Sequence, residues 1–107
     1  MLSTHQVHSL LVDLKGDLKK ALGKKLVDLV LFGSYSGGDY VEGSDIDLLI
    51  LVENDLTRSD NAAVDNLVAR YSLRYDIVIS ALVYTVSSYG EIDMPFFQNI
   101  REEGIRI

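Results

Sequence analysis

Cysteine is absent from this chain, which excludes a disulfide framework, a thiolate zinc site and a cysteine nucleophile. That absence suits a reducing compartment, and the cytoplasm is the expected location. Proline occurs once, too rarely for an extended linker or a disordered tail. No apolar run reaches the roughly 18 residues that a membrane span requires. The opening MLSTHQVHSL has neither the basic start nor the apolar stretch of a signal peptide. Positive charge is also scarce, with 10 Lys and Arg against 16 Asp and Glu and a net charge of -6. Nucleic-acid binding draws most of its affinity from cations that displace counterions at phosphates, so this balance argues against nucleic acid as a direct substrate.

What is present is an ordered globular composition, 48% hydrophobic over 107 residues. This is enough for one domain, residues 1–107, with a single modest core, and too little for a catalytic domain plus a substrate domain. An enzyme of this size must find its acceptor elsewhere. Five of the ten basic residues, Lys15, Lys19, Lys20, Lys24 and Lys25, fall in one eleven-residue stretch. A solvated helix face whose cations complement the helix C-terminus accounts for them, and a docking patch for an acidic partner is the sharper alternative.

Val7, Leu10, Leu11, Leu14, Leu18 and Leu22 recur at helical spacing and predict an amphipathic helix over 4–21, stopped by Gly23. LVDLVLF (26–32) reads as a strand, and the glycine-rich 33–44 as a turn-rich loop. DIDLLILV (45–52) reads as a second strand, its continuous apolar run implying burial on both faces. A capping signal at Thr57 to Asp60 opens a helix over 58–74, and DIVISALV (76–83) reads as the third strand. Residues 84–93 read as a loop, and Pro95 starts a short helix through 102 that Gly104 ends. The class is α/β (α+β), with strands one and two antiparallel and strands two and three parallel through a helical crossover.

The chemistry concentrates in LFGSYSGGDYVEGSDIDLLILV. Alternation along a strand puts Asp45 and Asp47 on one face, with Ile46 and Leu48 on the other. Two like charges about 4 Å apart repel by roughly 4 kcal/mol at an effective dielectric near 20, a large fraction of a small domain's stability. Such a pair calls for a hard cation, and Mg²⁺ binds through one or two carboxylates plus substrate phosphates. Gly33 lets the backbone approach a phosphate closely, and Ser34 adds a hydroxyl and an N–H at a helix start. Asp76, opening the third strand, is placed by the parallel crossover beside Asp45 and Asp47, as a third carboxylate for two-metal phosphoryl chemistry.

The segment GSYSGGDYVEGSDIDLLI resembles the signature of the DNA polymerase beta-like nucleotidyltransferase superfamily, specifically its minimal single-domain branch (MNT). The resemblance extends over nearly the whole chain. It implies a small mixed β-sheet flanked by helices, with Gly33 and Ser34 on the nucleotide's terminal phosphates and Ser44 in the same nucleotide site. It further implies two Mg²⁺ ions held by Asp45, Asp47 and Asp76, with Asp76 as general base, and transfer of a nucleoside monophosphate from ATP or another NTP to an acceptor hydroxyl. Minimal members are similar to antitoxins whose partner is a HEPN-domain toxin, and the implied reaction there is adenylylation of a toxin tyrosine. Many members carry Arg where this chain has Gly37, so one phosphate contact of the family pattern is missing. That departure motivates the alternative of a non-catalytic binding module of the same fold. A small-molecule nucleotidyltransferase is a third reading, for which the chain leaves little room.

Other residues invite less. His5 and His8 are too few to hold a metal at a chain start. Tyr35 and Tyr40 flank the glycine-rich loop, where stacking on a base competes with plain packing. Arg70 and Arg74 lie four apart on the second helix as surface charge or phosphate contacts, and Phe96 and Phe97 are expected to anchor the last helix.

Overall fold

The computed structural model describes residues 2–33, 35, 45–91 and 95–107, with the side chains of 90, 91, 95–97 and 99 also outside the description. Helix α1, Thr4–Leu22, starts at a capping box in which the Ser3 hydroxyl accepts from the Gln6 N–H while the Gln6 side chain accepts from the Ser3 N–H. It ends at Gly23, whose φ of +59 takes the chain out of the helix. A short turn leads into strand β1, Leu26–Phe32, and the next described strand is β2, Ile46–Val52. Helix α2, Arg58–Tyr75, opens at a second capping box between Thr57 and Asp60. Strand β3 is Ile79–Thr85, followed by α3, Val86–Glu91, α4, Pro95–Glu103, and the two-residue β4, Ile105–Arg106.

The four strands form one mixed sheet in the order β3-β2-β1-β4. β1 runs antiparallel to both β2 and β4, while β2 and β3 are parallel across the α2 crossover, as expected for a strand, helix, strand unit. Ile46, Leu48, Ile50 and Val52 point to the face covered by α1 and α2, where they meet Leu10, Leu11, Leu14, Leu18 and Tyr71. Leu49 and Leu51 point to the other face and pack with Val30 and Ile100 of α4. β2 is therefore buried on both sides, as its apolar run requires.

Two expectations are corrected. The third strand begins at Ile79 instead of Asp76 and continues to Thr85, and the expected loop after it contains α3. The reason is the exit from α2. Asp76 adopts the left-handed conformation (φ 51, ψ 51) as the helix C-cap, its N–H donating to the Ser72 carbonyl. A residue so placed terminates a helix and cannot also open a strand, so Ile77 and Val78 make the connection. The basic stretch is partly structural, since Lys15 bonds Asp28 and the Ile107 main-chain oxygen and Lys25 pairs with Asp60.

Candidate functional site

The site lies where β1 ends and β2 begins. Gly33 directly follows β1 with φ +76, a conformation that disfavours any side chain. A Cβ at this position would collide with Asp47 Oδ2 and lie 3.0 Å from its Cγ and 3.2 Å from its Cβ. Glycine is thus needed twice, for the turn and for the space that the Asp47 carboxylate occupies.

Asp47 is the second residue of β2, half-buried, level with Phe32 on β1 and with Ser80 on β3. Asp45 is exposed immediately before the strand. Between them Ile46 is fully buried and its N–H donates to the Val78 carbonyl at 2.9 Å, which pins the start of β2. Burial first, and the negative charge of Asp45 second, push the Asp47 carboxyl above its ordinary value. Among the described residues the ion pairs of Lys15, Lys25 and Arg106 are made with Asp28 and Asp60, and none reaches the Asp45–Asp47 pair. Among the described residues the pair is therefore a negative centre without a basic ion-pair partner, and its oxygen-only donors suit a hard divalent cation.

Asp76 precedes β3 and does not stand on it. It is exposed at the α2 C-cap, and among the described residues no three His, Cys, Asp or Glu side chains are grouped to hold one metal ion. The β3 residue paired with Asp47 is Ser80, exposed and on the same sheet face. The expected third strand began at Asp76, three residues before the observed start. The signal that could have found it is the Asp76–Ile77–Val78 stretch, in which an Asp at a helix end can serve as a left-handed cap.

Ser34 and Ser44 lie outside the described residues, as do Gly37 and Tyr40. Tyr35 is buried in the core, which is the packing role rather than a stacking platform. His5 and His8 are exposed on α1. Arg70 is exposed, and the Arg74 guanidinium sits 5.5 Å from the Tyr71 ring centroid, a surface cation–π contact.

Comparison with known proteins identifies the family. Residues 12–105 match the family model described as "Nucleotidyltransferase domain". A protein of Methanocaldococcus jannaschii named "Putative protein adenylyltransferase" is 34% identical over 102 residues, covering 95% of this chain and 99% of the relative. A second protein of that organism and that name is 36% identical over 88 residues, covering 81% and 83%. Among solved structures, a toxin–antitoxin with AMP-PNP superposes with a TM-score of 0.61 at 23% identity, over 88% of this chain and 69% of that one. The complex of a tri-AMPylated Shewanella oneidensis HEPN toxin with its MNT antitoxin gives a TM-score of 0.61 at 20% identity, over 97% and 71%. These structural likenesses establish a shared fold. Among the described residues no helix is long and apolar enough to cross a membrane.

Proposed function

The chain belongs to the nucleotidyltransferase domain family and is a nucleotidyltransferase, and on that premise we propose that it transfers AMP from ATP to a hydroxyl of a partner protein. The acceptor we propose is a tyrosine of a HEPN-type toxin, with the chain acting as a cytoplasmic antitoxin; another NTP in place of ATP is the variant of this reading. The relatives named as protein adenylyltransferases and the fold shared with MNT antitoxins support it. The observation that carries it is the Asp45–Asp47 pair at the mouth of β2, with the Asp47 carboxylate seated over Gly33.

In this proposal Asp45 and Asp47 hold the divalent metal, Mg²⁺, and Gly33, Ser34 and Ser44 contact the nucleotide. The bound cation would neutralise phosphate charge and align the attacking oxygen. Gly33 leaves room for the Asp47 carboxylate, and the buried Ile46 holds both acids to one spacing. The ligand and general-base roles of Asp76 are proposed on the family resemblance alone, since it stands at the α2 C-cap and not on β3.

The experiment mixes the protein with its HEPN partner, ATP and Mg²⁺ and follows the partner's mass. Addition of AMP units by the native protein, and their loss with Asp47→Asn, is the expected result. No mass gain with any NTP would refute the reading. Neutralisation of the toxin that survives Asp47→Asn would instead assign the effect to contact alone.

A further inference from the structure

We infer that the outer strand β3 seats the acceptor: an extended, uncharged segment of the partner protein lies along it and brings its hydroxyl past Ser80 to the acid pair. The inference rests on the proposed transfer of AMP to a protein hydroxyl and adds where that protein is held. β3 stands at one end of the strand order β3-β2-β1-β4 and pairs on one side with β2. The parallel register sets Ser80 level with Asp47, and the Val78 carbonyl continues the ladder by accepting from the Ile46 N–H. Alternation then puts Val78, Ser80 and Leu82 on the sheet face of Asp47. All three are exposed, Val78 at 58% and Leu82 at 39%, whereas Ile79 between them is buried.

The composition of this strip calls for a cover. Outer strands of free-standing proteins are commonly blunted by Lys, other charges or Pro, yet the fourteen residues from Ile77 to Gly90 hold no charge and no proline. Exposed apolar side chains on such a strand mark an interaction surface. The position selects the occupant. An acceptor hydroxyl must come within bonding distance of a phosphate held at Asp45 and Asp47, so the protein that carries it has to cover the neighbouring rim, and Ser80 belongs to that rim. A second copy of the chain would instead approach against a net charge of -6 on each molecule. Neighbouring strands lie roughly 4.8 Å apart, so a segment added to β3 runs about 9.6 Å from β2. That gap suits a long acceptor side chain such as tyrosine, reaching over the small Ser80 toward a metal-bound phosphate, and it is too wide for serine. In strand addition the main chain supplies affinity and alternate side chains supply specificity, and here Val78 and Leu82 offer apolar contacts on either side of Ser80.

The test uses the full chain with its HEPN partner and follows amide hydrogen exchange in β3 alongside AMP transfer. Adding the partner should slow exchange in β3 at least about tenfold. Val78→Gln and Leu82→Gln, both neutral and at exposed positions, should together raise KM for the partner at least about tenfold and leave kcat within about twofold, because they weaken docking and not the chemistry. The melting temperature of the double variant and its affinity for AMP-PNP with Mn²⁺ should match those of the native protein, which shows that fold and nucleotide site are intact. Should the double variant not fold, the exchange measurement on the native protein decides by itself. AMP transfer by the native protein with exchange in β3 unchanged by the partner would overturn the inference and leave the proposed function standing. So would a native KM in the folded double variant. A free protein that sediments as a dimer, with β3 already protected and not released by the partner, would assign the strip to a second copy and also overturn it. Absence of transfer with any NTP refutes the proposed function, and the inference falls with it.

Discussion

Gly33→Ala tests the geometry of the site through stability alone, without substrate or partner. The backbone at Gly33 has φ +76, and placing a side chain in the left-handed region costs about 1–2 kcal/mol. The new methyl would also coincide with Asp47 Oδ2 and press on Cγ at 3.0 Å, so the carboxylate must rotate away. An off-rotamer side chain costs about 0.5–1.5 kcal/mol, which brings the total to roughly 1.5–3.5 kcal/mol. For a domain of about 100 residues this corresponds to a fall in Tm on the order of 10 °C. Calorimetry or urea unfolding measures it. The two contributions can be separated by a double-mutant cycle with Asp47→Ala, which removes the colliding oxygen and leaves the backbone cost. A coupling of about 0.5–1.5 kcal/mol between the two sites is expected. A Gly33→Ala protein within about 0.5 kcal/mol of the native one, or one whose loss is indifferent to Asp47, would refute the close packing of turn and acid on which the site rests.

Two further predictions concern groups away from the acids. Asp28 is buried, which alone would raise its pKa, but bonds from Arg106 Nε (2.6 Å), Lys15 Nζ (3.1 Å) and the Leu29 N–H (2.9 Å) outweigh burial and hold its carboxyl below 3.8. The stability this contributes is present above the ordinary carboxylate pKa and lost as pH falls through the lowered one, so Asp28→Asn should cost about 1.5–3 kcal/mol at pH 7 and progressively less below pH 4, read from urea midpoints. An equal deficit at pH 7 and pH 2 would contradict the charged role. Tyr71 is pushed up to about 12, by burial first and then by its 2.5 Å bond to Asp17, so the stability it contributes is complete below pH 10 and is lost as pH climbs toward 12. Tyr71→Phe should flatten that alkaline loss in unfolding midpoints; an unchanged alkaline profile would place the effect on other groups.

Local pattern decided the elements whose periodicity is strong. The leucines of α1, the capping boxes at Ser3 and Thr57, and the apolar runs of β1 and β2 each carry their own signal, and the observed bounds differ from the expected ones by a residue or so. The parallel relation of β2 and β3 followed from the helical crossover between them, and the antiparallel relation of β1 and β2 from the requirement that the glycine turn meet the two acids. β3 was harder to bound because DIVISALV offers no turn residue to separate helix from strand, and an Asp can either cap a helix or open a strand. The five lysines near the end of α1 were legible as charge but not as partners: that Lys15 reaches Asp28 and Lys25 reaches Asp60 depends on residues 13 and 35 positions away.

For the site the division is similar. The sequence by itself determined that Asp45 and Asp47 share a face and that a glycine turn precedes them, because both follow from strand alternation and from the freedom of glycine. Only the tertiary structure decided what stands opposite. The register of β3 against β2 puts Ser80 level with Asp47, and Asp76 is the αL cap of α2 and not a β3 residue. Register is an agreement between two strands, reached through the core side chains that both must bury, and no single segment records it. The same holds for the contact between Gly33 and the Asp47 carboxylate, which exists only once β1 and β2 have paired.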